Sequence, residues 1–512
     1  MPFTISKMDS DSPVKSWLKG RAKAEGDKIQ FSGPVPDDLR KKARRVYQWV
    51  IGNAIYAPYF DVEYGIPARV GAGEQKLWLT DKDSYASFAL LPLLTLLTSQ
   101  RLLLIGAPGR GKTTMATLMA LIGGGSLEDT RRAVQHGHPQ MTHSDLLGSP
   151  LPSDLVNAQS PADIRVIWKR WITLRVKIID EYNRIPTKTQ SCLLSLMAEG
   201  YAEVYEQTIQ AGPSAWFLTA NDDLGGGTFQ VITALKDRID AVVRTTPFNT
   251  EYLEKLADRV ANGTTPEQVI PIDIIFDVAE LDQITAEIRQ LIVPNEVLSG
   301  LGFMLGQLDF CRRASDRLEY MNKDTLALAG RRLGQVCTED CPLDKAENIC
   351  TQSENGVSAR VYQSILLYAK ALAWFRGVDE VGNEDIRQIL PWVLHEKLHP
   401  NQMSPFFQKS ENQFHLLDRL SWIRQLHDRA ISARAAYAEV HQPIEDLRNE
   451  IQQELEQPNP AGLKRSIQQI RKQMELLLTD HELNAPVHHD LLALKQLATV
   501  CQNRLHHLEQ TK

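Results

Sequence analysis

Eight residues in the first quarter of the chain have the types and the spacing of a phosphate-binding loop. The loop reads Gly106, Ala107, Pro108, Gly109, Arg110, Gly111, Lys112 and Thr113, and Thr114 follows it. Glycines let backbone N–H groups turn toward phosphate oxygens, the lysine reaches the terminal phosphates, and the threonine hydroxyl is a ligand for Mg²⁺. The flanking residues predict a strand over 102–105 and a helix over 114–121. A glycine-rich turn without a ligand would not need the lysine, so the pattern predicts a site for ATP and Mg²⁺.

Two acids, Asp180 and Glu181, end a second apolar run that predicts a buried strand over 176–179. In phosphoryl transfer the protein mostly positions groups and stabilises charge. We therefore expect Asp180 to hold Mg²⁺ through its water shell, near Thr113, and Glu181 to polarise the attacking water. An acid pair after a strand is often only a helix N-cap. The phosphate loop upstream favours the catalytic interpretation.

Two further polar residues follow in the same part of the chain. A third apolar run, 216–220, ends in Asn221, which we expect at the same sheet edge, orienting water or contacting the γ-phosphate. Arg238 lies at a predicted helix end. One possible role of Arg238 is local, as an ion-pair partner of Asp237 or Asp240. The more specific hypothesis is that Arg238 is an arginine finger for a neighbouring subunit.

The order of phosphate loop, acid pair, asparagine and arginine resembles that of AAA+ ATPases. Two segments are similar to the MoxR family, one beginning at the acid pair and one in the second half of the chain. The residues that carry this similarity are Asp180, Glu181, Tyr182, Asn183, Arg184, Ile185, Pro186, Gln190, Leu193, Leu194, Met197 and Glu199, then Gly356, Val357, Ser358, Ala359, Arg360, Ala371, Leu372, Ala373, Arg376, Gly377, Glu384, Asp385, Ile386, Leu390 and Pro391. The resemblance covers roughly residues 84–398.

The resemblance implies a homo-oligomer, a hexamer, that hydrolyses ATP to remodel or mature a protein partner in the manner of a chaperone. Such proteins often work beside a protein with a von Willebrand factor A domain. The resemblance makes Arg360 the lid arginine of the family pattern, its sensor 2. It also places a family insert at residues 144–171, where Trp168 and Trp171 are candidate substrate contacts.

The pattern of elements predicts an α/β AAA+ core followed by helical parts. Short β-rich runs alternate with helical patterns over residues 84–250, which is typical of a parallel sheet with crossover helices. Residues 251–398 have helical spacing without a clear strand and predict an all-α lid. Residues 1–83 form an N-terminal region to which we assign no role.

Residues 399–512 predict a C-terminal helical domain after a linker that contains Pro400 and Pro405. Breakers near 458–460 and at Pro486 divide it into three amphipathic helices. We favour a small bundle over a coiled-coil surface for a partner, although both can hold. The apolar stripes are Ile444, Leu447, Ile451 and Leu455, then Leu463, Ile467, Ile470 and Met474, then Leu494, Leu497, Cys501 and Leu505.

Composition restricts the class of protein. With 43% hydrophobic and 23% charged residues the chain is typical of ordinary globular proteins. The apolar stretch 88–97 contains Pro92 and is shorter than the roughly 20 residues that span a bilayer, so it predicts a buried helix. The N-terminus has no signal pattern and six cysteines are too few for a disulfide framework, so we expect a cytoplasmic protein.

The net charge of −6 gives no general attraction to nucleic acid, which makes a nucleic-acid partner disfavoured. A local basic run could still bind phosphates, and a solvated helix face explains that run equally well. The run consists of Arg40, Lys41, Lys42, Arg44 and Arg45.

Four of the six cysteines fall in the predicted lid, where the family pattern needs none. They are Cys311, Cys337, Cys341 and Cys350. Thiolates in tetrahedral sites bind Zn²⁺ or iron–sulfur clusters, but the spacing lacks the close C-x₂-C pairs of common zinc sites. Unlinked thiols are the alternative interpretation.

Two other functions compete with protein remodelling. One is an ATP-driven motor subunit of a nucleic-acid-acting restriction or defence system, which the acidic charge and the lack of a recognisable DNA-binding module disfavour. The other is a scaffold that binds ATP and hardly hydrolyses it. Glu181 and Arg238 argue against such a scaffold, because a pure switch needs neither residue.

Overall fold

The computed structural model describes residues 37–54, 59–65, 68–72, 75–157, 159, 164–221, 231–245, 247–337 and 341–510. Residues 1–36 of the predicted N-terminal region lie outside the described residues. So do residues 158 and 160–163 of the predicted insert.

The described strands form one central sheet and several two-stranded ribbons. They are β1 (Val62–Glu63), β2 (Ala68–Ala72), β3 (Gln75–Leu79), β4 (Ser84–Tyr85), β5 (Arg101–Ile105), β6 (Val134–His136), β7 (Gly148–Pro150), β8 (Val166–Trp168), β9 (Val176–Asp180), β10 (Tyr201–Val204), β11 (Gln207–Gln210), β12 (Ala215–Ala220) and β13 (Ala241–Arg244).

Helices surround the sheet and make up most of the second half of the chain. They are α1 (Asp37–Trp49), α2 (Ser87–Thr98), α3 (Lys112–Ile122), α4 (Leu127–Ala133), α5 (His143–Leu146), α6 (Pro152–Asn157), α7 (Thr187–Glu199), α8 (Thr233–Arg238), α9 (Leu253–Asn262), α10 (Val278–Gln290), α11 (Asn295–Asp309), α12 (Lys323–Leu328), α13 (Leu333–Val336), α14 (Ala359–Arg376), α15 (Asn383–Leu394), α16 (Pro405–Gln408), α17 (Arg419–Glu456), α18 (Pro460–Asp480) and α19 (Ala485–Gln510).

The central sheet is parallel, with its described strands in the order β13-β5-β12-β9-β6. Leu103 of β5 pairs with Val242 on one side and Leu218 on the other. All of β12 is buried, as expected where helices cover both faces of a parallel sheet. The predicted α/β core is therefore confirmed. In a parallel sheet every carboxyl end reaches the same edge, and this edge carries the phosphate loop and the acid pair.

Helix α2 lies in the middle of the molecule. Every residue of Ser87–Thr98 is buried, including Pro92, which confirms the predicted buried helix. The Thr95 hydroxyl lies 2.7 Å from the hydroxyl of Tyr368 on α14, so α2 joins the sheet to the lid. No helix among the described residues is long and apolar enough to cross a membrane.

The basic run on α1 makes contacts within the chain. Lys42 bonds Glu280 at 2.7 Å, Arg45 bonds Asp273 at 2.9 Å, and Arg40 bonds Asp379 at 3.1 Å. Arg44 donates to the carbonyl oxygens of two lid residues, Phe375 and Arg376. The run therefore attaches α1 to the rest of the molecule through Arg40, Lys42 and Arg44, while Arg45 remains exposed as a solvated face predicts.

The all-α lid and the C-terminal helical region are confirmed. The predicted stripes of the last three helices meet in one apolar cluster. Ile451 of α17, Ile470 of α18 and Cys501 of α19 are fully or almost fully buried there. The amino-terminal part of α17 belongs to a different cluster, since Trp422 and Leu426 pack with the lid helices. The long helix thus connects the lid to the bundle.

Candidate active site

The phosphate loop lies between β5 and α3, as the sequence predicts. β5 ends at Ile105 and α3 begins at Lys112. Gly109 has φ 74°, in the left-handed region that glycine adopts readily. A Cβ atom on Gly106 would lie 1.8 Å from Oγ1 of Thr245, so only glycine fits there. The loop backbone can therefore turn as tightly as a phosphate site requires.

Lys112 lies inside this turn with its side chain buried. Its Nζ donates to the carbonyl oxygens of Gly106 at 2.5 Å and Ala107 at 2.9 Å, and to Oδ1 of Asn221 at 2.9 Å. The ammonium group is thus held among oxygen acceptors at the carboxyl edge of the sheet. Phosphate oxygens are acceptors of the same kind, so the position suits a nucleotide.

Asp180 is the centre of a hydroxyl network at the end of β9. Its Oδ1 accepts hydrogen bonds from the hydroxyls of Thr113 and Thr219, each at 2.7 Å. Its Oδ2 lies 3.1 Å from Nδ1 of His136. Carboxylate and hydroxyl oxygens are the ligands that Mg²⁺ prefers. The pair of Thr113 and Asp180 therefore fits Mg²⁺.

Glu181 lies beside Asn221 in a strained conformation. Its φ of 53° is unusual for a residue other than glycine, and such strain is concentrated at functional sites. The side-chain amide of Asn221 donates to Oε1 of Glu181 at 2.7 Å, while Arg184 bonds Oε2 at 3.1 Å. Because Asn221 also accepts from Lys112, one amide connects the phosphate lysine to the second acid. The structure thus brings these three predicted residues together.

Two residues of the network were not predicted. Thr219 is fully buried in β12 and also accepts from the backbone N–H of Glu181 at 2.9 Å. A polar residue inside an apolar strand, two positions before Asn221, was the signal for it. His136 ends β6, and only the strand order shows that β6 is the neighbour of β9.

Two family models and two known proteins are similar to parts of this chain. Residues 101–240 match the model of the ATPase family associated with various cellular activities (AAA), and residues 345–416 match that of the AAA lid domain. Chaperone MoxR1 of Mycobacterium tuberculosis is 23% identical over 307 residues, which are 60% of this chain and 69% of that protein. These similarities support a MoxR-family AAA+ ATPase. A crystal structure of a candidate ATPase from Cytophaga hutchinsonii is also similar, with TM-score 0.48, 18% identity and coverage of 80% of this chain and 98% of that one.

Arg238 and Arg360 are connected through Asp237, which precedes Arg238 in the chain and bonds Arg360. Arg238 ends α8, and its Nη1 donates to the carbonyl oxygen of Ala234 at 2.9 Å. Arg360 lies in the first turn of α14, and its Nη1 donates to Oδ2 of Asp237 at 2.9 Å. Among the described residues, no hydrogen bond joins either arginine to Glu181.

The end of α8 belongs to the amino edge of the sheet. Asp240, which follows α8, accepts from the backbone N–H of Arg101 at 3.0 Å, and Arg101 begins β5. A strand advances about 3.3 Å per residue, so this edge lies roughly 13 Å from the end of β5 where the phosphate loop begins. Asp240 is paired with Arg101 and Asp237 with Arg360, and within the described residues no ion pair joins either acid to Arg238.

The interpretation of Trp171 as a substrate contact is wrong. Its side chain is 1% exposed and packs edge-on against Trp216, with ring centroids 5.8 Å apart. Its Nε1 donates to the carbonyl oxygen of Leu146 at 2.6 Å. Trp168, on β8, is half-buried. In the described part of the insert, the large exposed apolar side chains are instead Leu155 and Val156 on α6 and Ile167 on β8.

The four lid cysteines do not form a metal site in the described residues, where no group of three or more possible protein ligands has suitable geometry. The thiols are free, and those of Cys311 and Cys350 are buried. Burial raises the pKa of Cys350 to about 12 and that of Cys337 to about 11, with nearby thiols adding to both shifts. The thiols are thus neighbours, but their neutral forms are favoured. The Zn²⁺ or iron–sulfur hypothesis has no support here.

Proposed function

We propose that this chain hydrolyses ATP to ADP and phosphate with Mg²⁺, and that it uses the cycle to remodel a protein partner. The observation that carries the first part is the hydrogen-bonded series from Lys112 through Asn221 to Glu181. It connects a phosphate-binding cation to a carboxylate suited to polarise water. A site that only bound nucleotide would need the lysine without this acid.

Each side chain has a distinct proposed task. Lys112 binds the terminal phosphates, and Thr113 and Asp180 hold Mg²⁺, which neutralises phosphate charge when bound. Glu181 orients the attacking water and accepts its proton, because its carboxylate lies at the same edge as the lysine. Asn221 fixes the direction of Glu181 through the bond to Oε1.

Arg238 and Arg360 are proposed to act on the site of a neighbouring subunit. Support comes from their position near the amino end of β5, away from the phosphate loop of their own chain. An arginine directed at the transferred phosphoryl group can increase the rate by roughly 10³ to 10⁵. Hydrolysis then requires a homo-oligomer, which by similarity to the family is a hexamer.

The remodelling part of the proposal rests on relatives and on the insert. The relative described as a chaperone supports a protein client, and the family resemblance supports a partner with a von Willebrand factor A domain. Val156, 83% exposed, and Ile167, 58% exposed, present an apolar surface suited to an unfolded client segment. A cytoplasmic location is also proposed, supported by cysteines that all remain free thiols.

Two substitutions test the ATPase site. Lys112→Ala should abolish nucleotide binding, because it removes the phosphate contact. Glu181→Gln should keep binding and stop turnover, because it removes only the carboxylate that activates water. Binding is measured with a fluorescent ATP analogue and turnover by phosphate release.

Matched controls are Lys472→Ala and Glu450→Gln, which remove the same groups from exposed positions on α18 and α17. Both controls should behave as the parent does. Equal nucleotide affinity in Lys112→Ala and the parent would disprove the site, and parental turnover in Glu181→Gln would remove the assigned role of that acid.

A further inference from the structure

Asp237 joins the lid to the end of α8. Its Oδ1 accepts from the hydroxyl of Ser358 at 2.8 Å, and its Oδ2 accepts from Nη1 of Arg360 at 2.9 Å. Ser358 and Arg360 lie at the start of α14, whereas Asp237 immediately precedes Arg238. One carboxylate therefore bonds both lid groups next to the proposed finger.

A second acid strengthens the same junction. Asp240 accepts from the hydroxyl of Ser364 on α14 at 2.7 Å and from Nη1 of Arg101 at 3.1 Å. The ammonium group of Lys397, whose backbone oxygen accepts from Asn355 just before α14, has no hydrogen-bond partner among the described residues. Burial lowers the pKa of Lys397, while the negative charges of Asp240 and Asp237 oppose that shift. The lid is thus bonded on both sides of Arg238.

Arg360 remains able to bind a further anion while it is held by Asp237. Its side chain is 54% exposed, and within the described part of the chain only Nη1 donates a hydrogen bond. A guanidinium carries five N–H donors in a rigid fork, so donors remain for a phosphate. Since Asp237 uses one donor and fixes the fork, the contact orders the arginine without blocking it.

We propose that Asp237 is a positioning residue that holds Arg360 beside Arg238, so that both arginines are presented together to the phosphates bound by a neighbouring subunit. This inference rests on the trans action of the arginines proposed above. Asp237 would act only through Arg360 and Arg238, and it would leave the nucleotide affinity of its own chain unchanged.

The test uses rings mixed from two variants and places Asp237→Asn either in the first variant or in the second. Lys112→Ala chains supply arginines without a working phosphate loop, and Arg238→Ala chains supply the loop. Asp237→Asn should lower turnover in the mixture when it is in the Lys112→Ala chain, and should have no effect when it is in the Arg238→Ala chain. A general folding defect would not depend on the placement.

The size of the expected loss of turnover follows from the exposure of the ion pair between Asp237 and Arg360. Exposed ion pairs contribute little free energy, so the loss of order should reduce turnover by about 1.4- to 5-fold. Asp237→Glu, which keeps the charge, should recover part of the loss. Asp258→Asn, an exposed acid on α9, is the matched control and should change nothing in either placement.

Two results separate the failure of this inference from that of the proposed function. If the mixture hydrolyses ATP but Asp237→Asn has the same effect in both placements, the positioning role is wrong and the trans arginine is not. If sedimentation shows mixed rings and they do not hydrolyse ATP, the trans action proposed above fails, and this inference fails with it. An increase in turnover in Asp237→Asn would also overturn the positioning role, because it would mean that Asp237 keeps Arg360 away from the phosphates.

Discussion

Replacing Thr219 with valine should destabilise the core and slow hydrolysis. The substitution keeps the β-branched shape and removes a fully buried hydroxyl. That hydroxyl donates to Asp180 at 2.7 Å and accepts from the N–H of Glu181 at 2.9 Å. A bond to a charged group contributes about 1.5–3 kcal/mol, and an orphaned buried donor costs about 1–3 kcal/mol. Thr113 still donates to Asp180 in the variant. We therefore expect the total loss of unfolding free energy to lie near the lower end of the summed costs, at about 2–4 kcal/mol.

The assay is thermal unfolding followed by tryptophan fluorescence, since Trp216 lies on the same strand as Thr219. A loss of this size should lower the midpoint by about 5–15 °C. The initial rate of phosphate release should fall at least about tenfold, which corresponds to about 1.4 kcal/mol in the barrier, because the backbone of Glu181 is no longer held. Nucleotide affinity should change less, since the contacts of Lys112 remain.

Thr98→Val is the matched control. Thr98 is equally buried, but among the described residues its hydroxyl bonds only the carbonyl oxygen of Leu94 in its own helix. The cost in unfolding free energy should therefore be about 1 kcal/mol or less. Equal midpoints for the two variants would refute the reasoning. So would a parental hydrolysis rate in Thr219→Val.

Two further predictions concern assembly and pH. Arg238→Ala and Lys112→Ala chains should each be inactive alone and should recover some hydrolysis when mixed; full activity of Arg238→Ala alone would refute the trans role. In the C-terminal bundle, the hydrogen bond to Asp490 raises the pKa of His441 above its ordinary 6.5. The stabilisation is then fully present below about pH 6.5 and is lost as pH rises through the raised pKa. The thermal midpoint should fall across that window in the parent and not in His441→Gln, and an equal fall in both would contradict the assignment.

The centre of the site could be predicted because its chemistry is local in the sequence. Lys112, Glu181 and Asn221 each follow the carboxyl end of a strand that is recognisable from its apolar residues. Neighbouring parallel strands then bring these ends to one edge without any further information. Thr219 was missed because its position inside a strand suggested packing rather than hydrogen bonding.

The remaining contacts depend on partners far along the chain. Lys42 bonds Glu280, 238 residues away, and nothing near the basic run indicates this acid. Trp171 is buried because β12 carries Trp216 against it, and an insert position alone suggested exposure. Asp237 similarly finds its partner Arg360 at a distance of 123 residues. In each case tertiary packing decides between exposure and burial, which local patterns do not encode.

The position of Arg360 decides which phosphate site a movement of the lid can affect. A lid arginine that served its own phosphate loop would need only a closing movement within one chain. Here Arg360 is bonded to Asp237, one residue before Arg238, and Ser364 bonds Asp240 on the other side of it. A movement of α14 relative to α8 would therefore change the contacts of Asp237 and Asp240, which flank Arg238 in the chain. Under the trans action proposed above, such a movement would affect hydrolysis where a second subunit presents its nucleotide to the two arginines.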